Sequence, residues 1–232
     1  MTSYLFPPAA VVSLPIEGDE RRYPVSRIFC VGRNYEDHAK EMGQVVDREK
    51  PFYFLKSATA LRQSGETIPY APGTDNWHFE VELVVAIGAP AFRTPKEEAL
   101  SKVFGYACGL DMTRRDLQLS ERAKQRPWDL GKDIENGAPT SSISPVSKIG
   151  HPAKAAITLK QNGVLKQNSD ISELVWSVAE LISHLSGFYH LGPGDLLFTG
   201  TPAGVGPVAP GDTLEGEVVG VGRLLTHIGP AE

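Results

Sequence analysis

Residues 77–88 read WHFEVELVVAIG, and the fold turns on how this stretch is read. Its alternation and its β-branched, aromatic-rich tail predict a half-buried strand over Phe79–Ile87. Side chains alternate between the two faces of a strand, so Glu80 and Glu82 leave on the face of His78, about 7 Å apart at the backbone. Phe79, Val81 and Leu83 pack on the opposite side. Two carboxylates held that close beside an apolar run repel each other unless a cation lies between them, and in a dry setting one of them takes up a proton near neutral pH. A solvated polar face is the ordinary explanation of such a pair, and a shared cation is the alternative.

The rest of the chain is punctuated in a way that suits strands. Among 232 residues, 23 Gly and 18 Pro separate short apolar runs, as expected of a β-rich (α+β) domain with frequent turns. Further strands are expected at Arg27–Val31, Phe52–Leu55, Val103–Leu110, Ala156–Gln161, Val164–Gln167, Leu196–Thr199, Thr213–Val219 and Arg223–Ile228. Asn162-Gly163, between ITLKQ and VLKQ, is a two-residue hairpin signal, because both central positions of a type I′ turn need positive φ. After it, Ile171, Leu174, Val175, Val178, Leu181, Ile182 and Leu185 recur at helical spacing. They predict one amphipathic helix covering the core, with Asp170 and Glu173 as a capping pair and Gly187 as a stop. Two shorter helices, Tyr35–Met42 and Thr113–Leu119, each follow an apolar strand through a short polar turn.

Length allows one sizeable core and no composition shift forces a second, so residues 1–232 are expected to form a single catalytic domain, with 1–26 as an extension packed on it. The formal net charge is −5 with the two signs interspersed, which gives no basic stripe for nucleic acid. No segment has the ~18 apolar residues of a membrane span, and the N-terminus lacks a signal-peptide pattern. A cytoplasmic protein without membrane contact is expected. Cys30 and Cys108 lie in apolar contexts without metal spacing and read as reduced core residues, a disulfide being the alternative.

A third carboxylate changes the weight of the Glu80–Glu82 pair. Asp111 ends the apolar run VFGYACGL and precedes the polar MTRRDLQ, a place where an Asp also serves as a helix cap. Together Glu80, Glu82 and Asp111 make a hard oxygen set suited to Mg²⁺ or Mn²⁺, while His78 keeps zinc formally open.

The motifs VGRNYEDHAKEM (31–42), FLK (54–56), HFEVELVVAIG (78–88), GLDMTRRDLQ (109–118), PWDLGK (127–132) and GDLLFTGTPAGVGPV (194–208) run in the order seen in the fumarylacetoacetate hydrolase family. The sequence resembles that family from about Ile28 to about Ile228, and its acylpyruvase and fumarylpyruvate hydrolase branch in particular. The resemblance implies a mixed β-sandwich roll of the family's C-terminal-domain type with a few covering helices, in a homodimer. It implies a divalent cation, Mg²⁺ or Mn²⁺, on Glu80, Glu82 and Asp111.

It further implies hydrolysis of a carbon–carbon bond in a small 2,4-dioxo acid, fumarylpyruvate being the specific expectation, as in gentisate-type aromatic breakdown. His38 and Glu41, three apart in HAKE and hence on one helix face, are then the dyad that activates water; without the resemblance such a pair reads as surface decoration. Lys132 is the candidate cation beside the leaving enolate, and composition alone would leave it an ordinary surface lysine. Lys56, Arg115, Gln118 and Thr201 are candidate substrate contacts, Thr201 through its N–H and hydroxyl unless its loop is a plain Gly/Pro turn. Arg114 is expected to point away. A fumaryl substrate carries a second carboxylate, for which Arg33, Arg62 and Lys124 are candidates, and residues 43–50 are a candidate lid carrying Glu41. Alternatives are oxaloacetate decarboxylation, isomerase or hydratase chemistry, and a metal-stabilised binding protein without catalysis.

Overall fold

A computed structural model describes residues 2–43 and 45–231, and residues 77–88 form two strands rather than one. Trp77–Phe79 pairs with Thr113–Arg114 and Gly206–Pro207 in a small sheet, whereas Val81–Ile87 belongs to a large one. Glu80 sits at the break. There the Val81 N–H donates at 3.0 Å to the side-chain oxygen of Gln167, so a buried amide replaces a ladder partner.

Val81–Ile87 is also buried on both faces, not half-buried: all seven residues are inaccessible. It lies inside an eight-stranded mixed sheet, between Asp195–Phe198 and Val103–Leu110. Val81, Leu83, Val85 and Ile87 face one core, together with Phe29, Val31 and Leu197. Val84 and Ala86 face a second, with Ile28, Cys30 and Phe198. The first core is closed by a five-stranded sheet, which contributes Leu159, Leu214 and Leu224, and by the helix Val178–Leu185. The second is closed in part by the hairpin of Ser13–Ile16 and Asp19–Pro24, whose Leu14 and Tyr23 are buried in it. Tyr23 locks this hairpin down by donating its hydroxyl to Ile87 O at 2.7 Å and accepting from Gly194 N at 2.8 Å. The N-terminal hairpin carried no strong periodic signal, which is why the second face looked solvated from sequence.

The remaining elements follow their local chemistry. Asn162 and Gly163 have φ of 52° and 77°, as the hairpin between Ala156–Gln161 and Val164–Asp170 requires. The expected helix over 171–185 is split into a 3₁₀ turn, Ile171–Glu173, and the α-helix Val178–Leu185. Asp170 caps the turn through Ser172 N, and the capping box belongs instead to Ser177 and Glu180. The break lets Val175 N and Trp176 N bond to Asn34, a tertiary demand that local periodicity does not encode. Both cysteines are free and buried, and no helix among the described residues is long and apolar enough to cross a membrane.

Candidate active site

The antiparallel register that pairs Val81 with Leu110 carries Asp111 alongside Glu80, and Asp111 N donates to Glu80 O at 2.8 Å. Glu82 stands opposite Gly109, where a Cβ would come within 2.6 Å of Val84 and 2.8 Å of the Phe198 ring. Strand pairing thus brings Asp111 beside two acids from a distant part of the sequence. Oxygens of Glu80, Glu82 and Asp111 lie within 4.8 Å of one another, and all three residues are buried. His78 does not join them: its Nε2 lies 2.8 Å from Asn76 Oδ1, and burial followed by the neighbouring Arg115 pushes its pKa down to about 4. The donor set is therefore all oxygen.

Three cations are built around the acids. Lys132 Nζ donates to Glu80 at 2.8 Å, to Asp111 Oδ2 at 2.7 Å and to Thr113 Oγ1 at 2.7 Å. Arg115 bonds the other oxygen of Glu80 and, at 2.5 Å, the Gln118 carbonyl. Lys56 Nζ lies 2.8 Å from Asp111 Oδ1, an ion pair without hydrogen-bond alignment, so that oxygen is left with no hydrogen bond. Burial alone would raise the Glu80 carboxyl, but Lys132 and Arg115 outweigh it and hold Glu80 well below the usual range. Lys132 is shifted up by Asp111 and Glu80 against the opposing effect of burial.

Glu82 differs from its neighbours. Among the described residues no cation touches it, and its one hydrogen bond there is from Gly200 N at 2.7 Å. Burial, then Asp111 and Glu80, push its carboxyl well above the ordinary value. Three carboxylates are balanced by three cations, yet one acid oxygen lacks a hydrogen bond and one acid lacks a counter-charge. That is the environment a divalent cation of the Mg²⁺ or Mn²⁺ type fits: buried hard oxygen donors, with no counter-charge against Glu82 and an oxygen of Asp111 that lacks a hydrogen bond.

On the facing wall, His38 Nδ1 lies 3.2 Å from Glu41 Oε2 on the short helix Glu36–Glu41. The same carboxylate accepts from Gly204 N at 3.1 Å. Gly204 has φ of 97°, and a Cβ there would fall 2.1 Å from Lys166 O, so only glycine brings that N–H to Glu41. His38, Glu80, Glu82, Asp111, Gln118 and Lys132 line one inner chamber of about 40 Å³, together with Thr201.

Two candidate contacts are placed differently from expectation. Lys56 does not line the chamber: its ammonium is fully buried behind Asp111, bonded also to Met112 O at 3.0 Å and to Lys132 O. The pleat turns it inward, where it positions Asp111 and the Lys132 turn. The Thr201 hydroxyl is also committed, donating to Val81 O at 2.8 Å and accepting from Gln167 at 2.8 Å. Arg114 points away to Leu130 O, 3.0 Å distant. Of the candidate lid, Gln44 lies outside the described residues.

Sequence reasoning missed Asn34, which ties the 31–35 loop to Thr199 O at 2.8 Å, and Gln167, which joins Val81, Thr201 and Pro202. It also missed Gly204. The available signals were a Gln amid a hairpin strand and a Gly two residues after a Pro, each too common to stand out.

A mixed β-roll whose central strand pair delivers three buried acids, faced by a His–Glu pair, defines a metal-site enzyme class. The model for "Fumarylacetoacetate (FAA) hydrolase C-terminal" matches residues 27–229, and the chain belongs to that family. A fumarylpyruvate hydrolase of Ralstonia sp is 51% identical over 193 residues, 82% of this chain and 100% of that protein. The human mitochondrial oxaloacetate tautomerase FAHD1 is 41% identical over 194 residues, 84% of this chain and 87% of that one. Among solved structures, fumarylpyruvate hydrolase from Pseudomonas aeruginosa in complex with Mn²⁺ and pyruvate superposes with a TM-score of 0.95 at 48% identity, covering 99% of this chain and 100% of that one.

Proposed function

We propose that this protein is a metal-dependent hydrolase that cleaves fumarylpyruvate to fumarate and pyruvate. One observation carries the reading: the buried three-carboxylate site shares a single chamber with His38, whose imidazole is paired with Glu41. The relatives named fumarylpyruvate hydrolase support the choice of substrate. Held by Glu80, Glu82 and Asp111, Mg²⁺ or Mn²⁺ supplies Lewis acidity at the 2-oxo acid end of the substrate.

The chain's own groups do the rest. His38 takes a proton from water whose oxygen attacks C4, and Glu41, fixed by the Gly204 N–H, orients the imidazole and stabilises its charged form. The C3–C4 bond then breaks with its electron pair moving to C3, which gives fumaric acid and the enolate of pyruvate. The Lys132 ammonium, the cation already seated between Glu80 and Asp111, stabilises the enolate charge. Return of the proton to C3 yields pyruvate. Arg115 and Gln118 shape the wall beside Glu80, and Thr201 contributes through its backbone N–H.

A second reading keeps the enolate and omits the water: proton transfer on, or decarboxylation of, oxaloacetate. The similarity to an oxaloacetate tautomerase favours it. Rates on fumarylpyruvate, acetylpyruvate and oxaloacetate, with EDTA and after Mg²⁺ or Mn²⁺ is restored, separate the two. Metal-restored turnover of the dioxo acids is expected, with His38→Ala reducing it about 10²–10⁴-fold. Activity confined to oxaloacetate would transfer the assignment to the second reading, and background rates throughout would leave a metal-stabilised binding protein. We place the enzyme in the cytoplasm, as a single catalytic domain in a homodimer serving gentisate-type aromatic breakdown. Sedimentation at micromolar concentration checks the dimer.

A further inference from the structure

We propose that Arg33 and Arg122 clamp a second carboxylate at the far end of the substrate, so that the site selects dioxo acids carrying a carboxylate at both ends. The inference rests on the dioxo-acid reading for the chemistry of the near end only. The inner chamber offers about 40 Å³, while one water needs about 10–15 Å³ on the same measure. A seven-carbon acid anchored at Glu80, Glu82 and Asp111 must therefore extend out of it. Its exit is a neck shared with an outer groove of about 730 Å³, and Arg33, Phe54, Arg122 and Trp128 belong to both spaces, as does Lys132, whose ammonium is held by Glu80 and Asp111.

The helix sets the spacing between the acids and the neck. Arg115, Gln118 and Arg122 fall at zero, three and seven along the helix Arg115–Ala123, one stripe turned to the chamber. Arg115 is fixed to Glu80, and Arg122 rises about 10 Å further along the axis. An extended chain advances about 1.2 Å per bond, so the two carboxylate carbons of a seven-carbon acid lie about 7 Å apart. The long arginine stems cover the difference.

The chemistry of the neck also fits. Neither Arg33 nor Arg122 has an ion pair or a side-chain hydrogen bond among the described residues. Burial first, and then Arg122, lower the pKa of Arg33, with Asp47 acting weakly the other way. Two half-buried guanidiniums that oppose each other's charge are relieved by one carboxylate between them, in the fork geometry that arginine favours. Phe54 and Trp128, with ring centroids 6.2 Å apart, give the neck flat walls for a conjugated acyl chain. The other two candidate cations are elsewhere: Arg62 bonds Thr59 O and Leu61 O and lines a separate pocket, and Lys124 is exposed and lines neither space.

The test compares fumarylpyruvate with acetylpyruvate, which lacks the distal carboxylate, in the Mn²⁺-loaded parent, Arg122→Met, Arg33→Met and Arg122→Lys. Both turnover and calorimetric binding are measured. The ratio of kcat/KM for the two acids should fall about tenfold to a hundredfold in each Met variant, mainly through KM, and recover in part in Arg122→Lys. A merely structural role would lower both rates together and leave the ratio unchanged, which would overturn the clamp. Hydrolysis of neither acid by the parent, with fumarylpyruvate still bound more tightly through Arg122, would remove the hydrolase reading and keep the clamp. Equal affinity for the two acids would remove the clamp.

Discussion

The two ends of the Val81–Ile87 and Val103–Leu110 strand pair obey opposite rules. At the Ile87 end both faces are apolar and buried, with Val85, Ile87 and Val103 in one core and Ala86 in the other. At the Val81 end, a few residues away, six ionisable side chains are buried: Glu80, Glu82, Asp111, Lys56, Arg115 and Lys132. The apolar end satisfies every local preference of a central strand. The charged end holds together only through charge matching, and replacing its members with apolar residues would cost the fold little if all changed at once. The contrast teaches where stability and chemistry are divided along one strand.

The sharpest way to break the comparison is to remove one charge. Lys132→Met leaves Glu80 and Asp111 short of their shared partner and should lower the unfolding free energy in EDTA by about 3–5 kcal/mol, read from urea melts. Mn²⁺ should restore part of that loss, because a divalent ion supplies the missing charge. An unchanged urea midpoint would mean the cluster is not matched charge by charge. Next in size is metal itself. At a hundred times its dissociation constant Mn²⁺ should stabilise the parent by about 2.7 kcal/mol, visible as a rise in Tm. Glu82→Gln, which removes the acid that no cation touches, should lose most of that rise; a full rise in this variant would take Glu82 out of the ligand set.

The apolar end should respond less and without regard to metal. Ile87→Val should cost about 0.5–1.5 kcal/mol with the Mn²⁺-induced rise in Tm intact. If that rise shrank, the two ends would be coupled rather than divided. The smallest effect lies outside both ends, at the cap of Val178–Leu185. Bonds from Lys96 and Ser177 hold Glu180 down to about 2 from the model-peptide value of 4.5. Its folded pKa lies below its unfolded one, so its contribution is present above pH 4.5 and is lost as pH falls through about 2. Glu180→Gln should flatten that part of the stability–pH curve, measured by urea melts between pH 2 and pH 5; an unaltered slope would assign the acid sensitivity elsewhere.

What the sequence disclosed tracks how local each cause is. Asn162-Gly163 needed only two residues to specify a turn, and Val103–Leu110 and Ala156–Gln161 have the bounds their apolar runs suggest. The spacing of Glu80 and Glu82 and the position of Asp111 at a strand end suggested a shared cation, and the family resemblance of the surrounding motifs was needed to bring the three acids together, as they lie in the fold. The break at Glu80, the covered second face and the split of the 171–185 helix were hidden, because each depends on partners far away: Gln167, Tyr23 and Asn34. The inward placement of Lys56 was hidden for the same reason. A lysine at a strand end looks like a contact, and only the fold reveals that its bonds to Met112 O and Lys132 O face inward.

The Gln167 side chain that stands in for a ladder partner at Val81 makes that amide a gauge of a different motion from its neighbours. The amides from Val84 onward are held by paired strands, so their exchange with deuterated solvent follows opening of the sheet. The Val81 amide is held by an amide group that also grips Thr201 and Pro202, so its exchange rate is expected to follow release of Gln167 and of the Thr201–Pro202 wall it holds. One proton signal, compared with that of Val84, would time how often the active-site wall lifts while the sheet stays closed.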